Sequence, residues 1–347
     1  MTLDRIENYG CTVLITGCAG LIGSRFADFI IENRPDIKVV GIDDLSGGYE
    51  ENVHESVEFS RINLTSPYLT QGVFERHRPD YVFHFAAYAA ECLSPFIRNY
   101  NYQNNIVATA NIVNNCINYD VKRLVFTSSM AVYGDQAAPF SEDMERKPID
   151  PYGIAKYASE ETLKVLSSVH GFDFVNLVPH NIIGPKQKYD DPYRNVVSIM
   201  INRILNGNGP IIYGDGEQKR CFSDINDVVN PFIKSLTSED AVGETINVGP
   251  DEDVISIKEL SSRVLKVLNS DLEPIFVDPR PQEVEFAHCS ADKSRKLLDY
   301  KTSTTLDQSI ENIANWIIKM GPKKFRYHLD IEVVNDKTPK TWKEKLF

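Results

Sequence analysis

The sequence predicts an α/β fold built on a doubly wound parallel sheet of the Rossmann type. Short apolar, β-prone segments alternate with helical segments through the first half of the chain, which is the pattern of a parallel sheet covered by helices. A glycine-rich turn, Thr16-Gly17-Cys18-Ala19-Gly20-Leu21-Ile22-Gly23, follows the first apolar segment. At 347 residues the chain exceeds one average domain, which leaves room for a smaller second lobe.

The elements follow one another in a regular order. Strands are predicted at residues 12–16, 38–43, 57–61, 81–85, 123–127 and 173–178. Helices are predicted at 25–32, directly after the glycine turn, and over the long segments 97–119 and 152–170. After Pro179 the alternation weakens into a loop at 185–193 and an amphipathic helix at 196–206, which indicates that the chain enters another lobe.

The predicted domain organisation follows from that change of pattern. Residues 1–180 form a dinucleotide-binding domain, to which residues 214–248 return. Residues 181–213 and 249–320 form a smaller α/β substrate-binding lobe, and residues 321–347 are a C-terminal extension without an assigned role. A ligand is then expected in the cleft between the lobes.

The glycine turn predicts the cofactor. A strand, a glycine turn and a helix in that order form the context of a dinucleotide fingerprint, and the pyrophosphate lies at the helix N-terminus. Asp43 ends the second strand 20 residues after Gly23, the spacing of a carboxylate that bonds the ribose 2′-OH. No arginine follows at 45–50, so NAD is favoured over NADP. The alternative is that Asp43 only caps its own turn.

Two further segments predict acid–base chemistry. Tyr152 and Lys156 lie four residues apart, hence on one helix face, and an ammonium near a phenol lowers the tyrosine pKa. Ser128 and Ser129 follow an apolar strand at its C-terminal end, where ligands of such sheets bind. With the cofactor turn, these residues predict hydride transfer at an alcohol or ketone. The alternatives are a solvated helix face for the pair and a simple turn for the serines.

Composition excludes several classes of partner. The net charge of -12 disfavours nucleic acids and anionic membranes, so an anionic substrate must meet local basic groups. The sequence contains no run of eighteen apolar residues, so no membrane span is predicted, and residues 1–10 lack the apolar core of a signal peptide. The six cysteines form no Cys-x-x-Cys pair and show no zinc spacing, so we expect no metal site and a cytoplasmic location.

Several ordered motifs resemble one enzyme family over about residues 10–318. They are His84-Phe85-Ala86-Ala87, Asn104-Asn105, the segment from Phe126 to Gly134, Asn181-Ile182-Ile183-Gly184-Pro185, Gly214-Asp215-Gly216 with Arg220 and Asp227-Val228, and Arg280-Pro281-Gln282-Glu283. With the glycine turn and the Tyr152/Lys156 pair, the chain resembles an extended short-chain dehydrogenase/reductase of the nucleotide-sugar epimerase/dehydratase group. Its pattern is most similar to that of UDP-glucose 4-epimerases.

The resemblance implies roles for individual residues. The catalytic residues are Ser129, Tyr152 and Lys156. The NAD-binding residues are Gly17, Gly20, Leu21, Ile22, Gly23, Asp43, Asp44, Asn63, Leu64, Phe85, Ala86, Ala87, Asn105, Ser128, Tyr152, Lys156 and Pro179. The substrate-binding residues are Ala89, Glu91, Ser129, Tyr152, His180, Asn181, Asn195, Val196, Arg220, Arg280 and Glu283. The substrate is a nucleoside-diphosphate sugar, with a UDP-hexose favoured, and the two long helices pair in a homodimer.

The resemblance also narrows the reaction. Dehydratases of the family carry an Asp-Glu pair where Met130 and Ala131 stand here, so dehydration is disfavoured. Three alternatives stay open: a 4-epimerase, a ketoreductase or dehydrogenase that releases its cofactor, and a non-catalytic nucleotide-binding protein. Glu91 and His180 depart from the family pattern in the sugar pocket, and His180 could instead be a satisfied core histidine. Ala287 is expected where the family limits room beside the sugar C2 substituent.

Overall fold

A parallel sheet of seven strands forms the centre of the larger domain. The structure is a computed structural model that describes residues 10–347. Residues 1–9 lie outside the described residues, and with them lie the start of the predicted first domain and nearly all of the segment expected to lack a signal core.

The described residues form strands β1 to β14 and helices α1 to α11. The strands are β1 Thr12–Thr16, β2 Lys38–Asp43, β3 Glu58–Arg61, β4 Tyr81–His84, β5 Arg123–Thr127, β6 Asp173–Pro179, β7 Ile182–Ile183, β8 Ile211–Tyr213, β9 Lys219–Arg220, β10 Ser223–Asp224, β11 Thr245–Val248, β12 Ile255–Ser256, β13 Ile275–Val277 and β14 Phe286–Ala287. The helices are α1 Leu21–Asn33, α2 Pro67–His77, α3 Arg98–Tyr102, α4 Ala108–Asn118, α5 Pro151–His170, α6 Val196–Leu205, α7 Ile225–Thr237, α8 Ile257–Val267, α9 Asp292–Leu298, α10 Leu306–Met320 and α11 Lys340–Lys343.

The order of the strands confirms the predicted fold class. The sheet runs β11-β6-β5-β4-β1-β2-β3 with every neighbouring pair parallel. The six predicted strands are all present, with each bound within one residue of its prediction. Because the strand order reverses between β1 and β4, the carboxyl ends of these two strands border a crevice, where ligands of doubly wound sheets bind.

Apolar side chains cover both faces of the sheet. On one face, Phe26 of α1 and Phe232 of α7 pack against the strands in one buried cluster. On the other face, Ile112 of α4 and Leu163 of α5 belong to a second buried cluster. The strands are therefore apolar along their whole length, as expected of a parallel sheet buried on both sides.

The long helix predicted at 97–119 is divided. Helix α3 ends at Tyr102, a π-helical turn follows at Gln103–Val107, and α4 continues to Asn118. A π turn inserts one extra residue into the helix and shifts the side chains on either side of it. Asn104 and Asn105 both lie within this π turn.

The smaller lobe has its own sheets and core. Strand β8 pairs with β13, and β9 lies between β12 and β14. Helices α6, α8 and α10 contribute Val197, Leu260 and Ile313 to one buried cluster. Between residues 10 and 347 we find no helix with the length and apolar character needed to cross a bilayer.

Two segments pack with a different lobe from the one predicted for them. The predicted return begins at 214, but β9 pairs within the small lobe, and the large sheet gains its last strand only at β11. Leu298 of α9, in a segment predicted for the small lobe, joins the apolar cluster of α1 and α7. The division into domains stays a prediction at these positions.

Replacement of Gly23 tests the close packing of the glycine turn. A Cβ at Gly23 would lie 2.2 Å from the carbonyl oxygen of Gly17. We expect Gly23→Ala to lower the free energy of unfolding by about 1–3 kcal/mol, the usual cost of overpacking. The urea midpoint measures the change.

Gly72→Ala is the matched control. Gly72 lies inside α2, and a Cβ added there would have no other atom within 4 Å. The substitution should raise the free energy of unfolding by about 0.5–1 kcal/mol, because alanine loses less backbone entropy in a helix. Equal midpoints for the two variants would show that the turn has room for a methyl group.

Candidate active site

A cavity opens at the carboxyl ends of the central strands, between the large domain and the small lobe. Its volume is about 460 Å³, within the range of small-molecule sites. The glycine turn, the end of β5, the first turn of α5 and segments of the small lobe all contribute to its wall. The cleft predicted from the change of sequence pattern therefore exists.

The glycine turn forms one end of the cavity. Gly17 has a φ of +73°, and a Cβ there would lie 2.8 Å from the backbone nitrogen of Ala86. Gly20 precedes α1 without any side chain that caps the helix. The first N–H groups of α1 are therefore free for an anion, and the pyrophosphate of a dinucleotide fits this cradle.

Asp43 holds its turn and also borders the cavity. One carboxylate oxygen accepts a hydrogen bond from the backbone of Ala19 at 3.0 Å, and the other accepts from Leu45 at 2.7 Å. Burial raises the pKa of Asp43, and these two hydrogen bonds oppose the rise. Each oxygen keeps a lone pair for a ribose hydroxyl, so the capping role does not exclude ribose binding.

The first turn of α5 is fixed to the large domain by a short chain of hydrogen bonds. Asp150 caps the helix by accepting from the backbone of Gly153 at 2.9 Å. Ser94 donates to the same carboxylate at 3.0 Å and accepts from the backbone of Tyr152 at 3.1 Å. The start of α5, and with it the Tyr152 side chain, is thus tied to the segment after β4.

Tyr152, Ser129 and Lys156 meet in the buried part of the cavity. Tyr152 and Ser129 both line the cavity, and hydrogen bonding by Ser129 acts to lower the pKa of the Tyr152 phenol. One turn along α5, the ammonium of Lys156 donates to the backbone oxygen of Thr127 at 2.7 Å and lies 4.8 Å from the ring centre of Phe126. The three predicted catalytic side chains therefore share one site.

The pKa of Tyr152 is shifted in the direction opposite to the one predicted from the sequence. Burial raises the pKa of Tyr152 above its usual range, the carboxylate of Glu91 raises it further, and the bond from Ser129 opposes both. Burial lowers the pKa of Lys156 to about 7. The expected lowering of the Tyr152 pKa by Lys156 is wrong for the chain alone, because desolvation of the phenol dominates.

Ser128 is held away from Tyr152 by a second pair of side chains. Its hydroxyl donates a short hydrogen bond to the buried carboxylate of Glu160, one turn beyond Lys156 on α5. Arg146 lies 3.5 Å from the other oxygen of Glu160. This network fixes the end of β5 against α5 and leaves Ser129 free to contact Tyr152.

The small lobe supplies two arginines. Arg280 pairs with Glu283 through both nitrogens of its fork and lies 4.4 Å over the ring of Tyr213. Arg220, on β9, donates to the backbone oxygen of Val284 at 2.7 Å. Both guanidinium groups border the cavity, which gives the local positive charge that the acidic chain requires.

Glu91 borders the same cavity as Tyr152 and the two arginines. Burial raises the pKa of Glu91 to about 7, Asp150 adds to the rise, and Arg220 and Arg280 oppose it. The same carboxylate raises the pKa of Tyr152. Glu91 is therefore a charged neighbour of both Tyr152 and the arginines.

Most of the predicted site residues border this cavity. They are Gly17, Gly20, Leu21, Ile22, Gly23, Asp43, Asp44, Leu64, Phe85, Ala86, Ala87, Ala89, Glu91, Ser128, Ser129, Tyr152, Lys156, Pro179, Asn181, Asn195, Val196, Arg220, Arg280 and Glu283. Their location agrees with the predicted roles, while the roles themselves stay predictions.

His180 is not part of the cavity wall. Its ring is fully buried, and Nε2 donates to the backbone oxygen of Pro250 at 2.6 Å. Burial lowers the pKa of His180 to about 4, so the ring is neutral. The expected substrate contact is therefore corrected, and the alternative of a core histidine describes the residue.

Two asparagines also lie elsewhere than expected. The side chain of Asn105 bonds both backbone groups of Tyr88, at 3.0 and 3.2 Å, and supports the cavity wall from behind. Asn104, its neighbour in the π turn, borders the cavity instead. Asn63 accepts from the backbone of Thr65 at 2.9 Å, and Leu64 alone of that pair borders the cavity.

Ala287, predicted to limit the room beside the sugar C2 substituent, does not itself line the cavity. Ala287 packs with Met130 and Val284 in a buried cluster, and these two residues form the wall in front of it. A larger side chain at 287 would act on the cavity by displacing Met130 or Val284.

Sequence reasoning missed Arg194. Its Nε donates to the buried carboxylate of Asp191 at 2.9 Å, and its guanidinium lies 4.5 Å over the ring of Tyr88 in the cavity wall. The buried Nη2 has no hydrogen-bond partner within residues 10–347. No motif in the sequence marks this residue, and its position beside Tyr88 depends on a contact between segments far apart in the chain.

The C-terminal extension also borders the cavity. Trp342 and Phe347 line it beside Tyr213 and Arg280. Trp342 is only 3% exposed and lies in an aromatic cluster with Phe96 and Tyr193 of the main body. The only hint in the sequence is the aromatic content of the lysine-rich tail.

Known proteins resemble the chain in sequence. A model of the NAD dependent epimerase/dehydratase family matches residues 13–249. The UDP-glucose 4-epimerase of Mycolicibacterium smegmatis is 30% identical over 306 residues, which cover 86% of this chain and 95% of that protein.

Solved structures resemble it in fold. The UDP-glucose 4-epimerase of Thermotoga maritima, solved with UDP-glucose, has a TM-score of 0.83 and 29% identity over 89% of this chain and 99% of its own. The UDP-N-acetylglucosamine 4-epimerase of Methanobrevibacter ruminantium M1, in complex with UDP-N-acetylmuramic acid, has a TM-score of 0.82 and 31% identity over 90% of this chain and 100% of its own. Because the family match spans more than half of the chain and includes the glycine turn and α5, the chain belongs to the NAD dependent epimerase/dehydratase family, and its cofactor is NAD.

Proposed function

We propose that the protein is a nucleotide-sugar epimerase that inverts C4 of a nucleoside-diphosphate hexose, most favourably a UDP-hexose. The placement of Tyr152, Ser129 and Lys156 together in the cofactor cavity carries the proposal. It provides a proton acceptor and a shared hydroxyl at the point where a sugar alcohol would be oxidised. The UDP-sugars bound to the two relatives support the choice of nucleotide.

Each residue of the site has a separate role in the proposed reaction. The positive charge of the oxidised nicotinamide would oppose the raised pKa of Tyr152 and favour its phenolate. In that form Tyr152 removes the proton of the sugar 4-OH, and Ser129 shares the hydrogen bond to the same oxygen. NAD, held by the glycine turn and Asp43, would supply the acceptor and donor of the hydride at C4. Tyr152 then gives its proton back to the new alcohol. Lys156 positions the cofactor ribose, and Arg220 and Arg280 hold the diphosphate while the sugar turns over.

The residues after Ser129 favour epimerisation over dehydration. Met130 and Ala131 follow it in a short 3₁₀ turn and carry no group able to exchange a proton. Removal of a proton from carbon needs such a group near the substrate. Oxidation and reduction at one carbon are the chemistry that this site supports.

Retention of the cofactor separates the proposal from its main alternative. An epimerase regenerates NAD in every cycle, whereas a ketoreductase or dehydrogenase of the same fold must exchange it. We expect denatured, purified protein to release close to one NAD per chain. A panel of UDP-, GDP- and CDP-hexoses, with N-acetylated sugars included, then identifies the substrate. Protein without NAD that reduces a keto sugar at the expense of added NADH would favour the alternative.

Loss of the Tyr152 hydroxyl should abolish most of the activity. We expect Tyr152→Phe to lower kcat by roughly two to four orders of magnitude, the range for loss of a general acid–base group. Tyr157→Phe, on the same helix and outside the cavity wall, is the matched control and should keep its activity. A nearly normal kcat for Tyr152→Phe would exclude the mechanism.

Glu91 should set the pH dependence of the reaction. Its carboxylate raises the pKa of Tyr152, and activity requires the phenolate, so activity rises as pH passes the Tyr152 pKa. Above about pH 7, where the Glu91 carboxyl is ionised, Glu91→Gln removes this charge and lowers the Tyr152 pKa. We expect the rising limb of the kcat–pH profile to move to lower pH by about 0.5–1 unit.

Glu285→Gln is the control for that shift. It removes the same charge from an exposed side chain and should leave the profile unchanged. A shift of the limb to higher pH in Glu91→Gln, or equal shifts in both variants, would contradict the assigned position of Glu91.

We propose that the enzyme is a homodimer in the cytoplasm. The six cysteines are free thiols, which suits a reducing compartment. Ile154, Val165 and Val169 are 43%, 60% and 68% exposed on one face of α5, a helix expected at the dimer interface. An exposed apolar helix face of this kind supports pairing about a two-fold axis.

Charge on that face should separate the subunits. We expect the double variant Val165→Lys/Val169→Lys to sediment as a monomer, because like charges would meet across the axis. Ile318→Lys, on α10 and 54% exposed, should stay dimeric. A dimer in both variants would place the interface elsewhere.

A further inference from the structure

The C-terminal extension, residues 321–347, connects the two lobes. Glu332 accepts from the backbone nitrogens of Asn99 and Tyr100 in the large domain, both at 2.8 Å. In the small lobe, Asn202 bonds the backbone of Lys323 at 2.9 and 3.0 Å. The extension is therefore held by specific contacts on both sides of the cleft.

Its last residues are fixed at the arginine end of the cavity. Thr341 shares a hydrogen bond of 2.7 Å with the hydroxyl of Tyr213, whose ring lies beneath Arg280. The ring of Trp342 lies 6.2 Å from the rings of both Phe96 and Tyr193. Phe347 lies 5.6 Å from the guanidinium of Arg203 and also borders the cavity.

Aromatic groups lie next to the arginines at this end of the cavity. The ring of Tyr213 lies beneath Arg280, and its hydroxyl shares a hydrogen bond with Thr341, the residue before Trp342. If the diphosphate lies at Arg220 and Arg280 with the sugar toward Tyr152, the nucleoside extends toward the aromatic end. Ile211, Tyr213, Trp342 and Phe347 offer flat and apolar surfaces there, which suit a planar base.

We infer that the end of the C-terminal extension forms a wall of the nucleoside pocket, with Trp342 and Phe347 contacting the base and ribose of the nucleoside-diphosphate sugar. This inference rests on the proposed function. The two solved relatives are covered over 99% and 100% of their length but match only 89% and 90% of this chain, so roughly a tenth of the chain has no counterpart in either.

The two tryptophans allow a direct test with UDP as the probe. Trp316 and Trp342 are the tryptophans of the sequence, and Trp316 packs against Tyr189, 5.3 Å between ring centres, away from the cavity wall. Trp316→Phe leaves Trp342 as the reporter, and Trp342→Phe leaves Trp316. We expect UDP to change the emission of the Trp316→Phe protein, with a midpoint equal to the calorimetric Kd, and to leave the emission of the Trp342→Phe protein unchanged.

Truncation measures the contribution of the ring. Base–aromatic contacts are worth about 1–3 kcal/mol, so Trp342→Ala should raise the Kd for UDP by about tenfold or more. The KM for the sugar nucleotide should rise likewise, with kcat and bound NAD unchanged. An unchanged Kd in a folded, NAD-loaded Trp342→Ala protein would overturn the inference, as would an emission change confined to Trp316.

These outcomes separate the inference from the proposed function. If UDP binds with the same Kd with and without the Trp342 ring, the inference is overturned and the epimerase proposal still stands. UDP binding that depends on Trp342, without turnover of any sugar in the panel, supports the inference and overturns the epimerase proposal. Failure of the unmodified protein to bind UDP would overturn the inference.

Discussion

The hydrogen bond from Lys156 to the backbone oxygen of Thr127 is the contact on which the arrangement of the site depends. It joins α5 to the end of β5 inside the protein, at 2.7 Å, and so sets where Tyr152 and Ser129 meet. A buried ammonium is costly to desolvate, and its pKa of about 7 records that cost. The neighbouring Glu160 opposes the shift and holds Ser128, so one face of α5 both carries the reacting phenol and supports it.

Charge in this protein is organised locally. The chain as a whole carries a net charge of -12, yet Lys156, Lys188, Arg194, Arg220 and Arg280 all border one cavity. Asp43 and Glu91 lie among them, each near a position where a hydroxyl rather than a phosphate is expected. The anionic and the neutral parts of the ligands are therefore expected to bind at different parts of the cavity wall. The net charge of the whole protein contributes little to where they bind.

The sequence alone predicted the elements that depend on local patterns of residues. The six main strands, the glycine turn and α5 each carry their own periodicity or motif, and each lies where it was predicted. The failures have physical causes that no local pattern records. Asn104 rather than Asn105 of the π turn borders the cavity, burial reversed the expected shift of the Tyr152 pKa, and His180 bonds the backbone of Pro250. Arg194 and Trp342 reach the cavity only through contacts between segments far apart in the chain.

The C-terminal extension has a consequence for motion. In two-lobed enzymes, ligands commonly enter and leave by rotation of one lobe about a few hinge residues. Here such a rotation would break the bonds of Glu332 to the large domain or those of Lys323 and Thr341 to the small lobe. Opening would then be rarer than in a molecule whose lobes are joined only by the chain crossings at the cleft. A slow exit of NAD would suit the proposed epimerase, which restores its cofactor within each cycle, whereas its proposed sugar-nucleotide substrate would need a path that leaves both lobes in place.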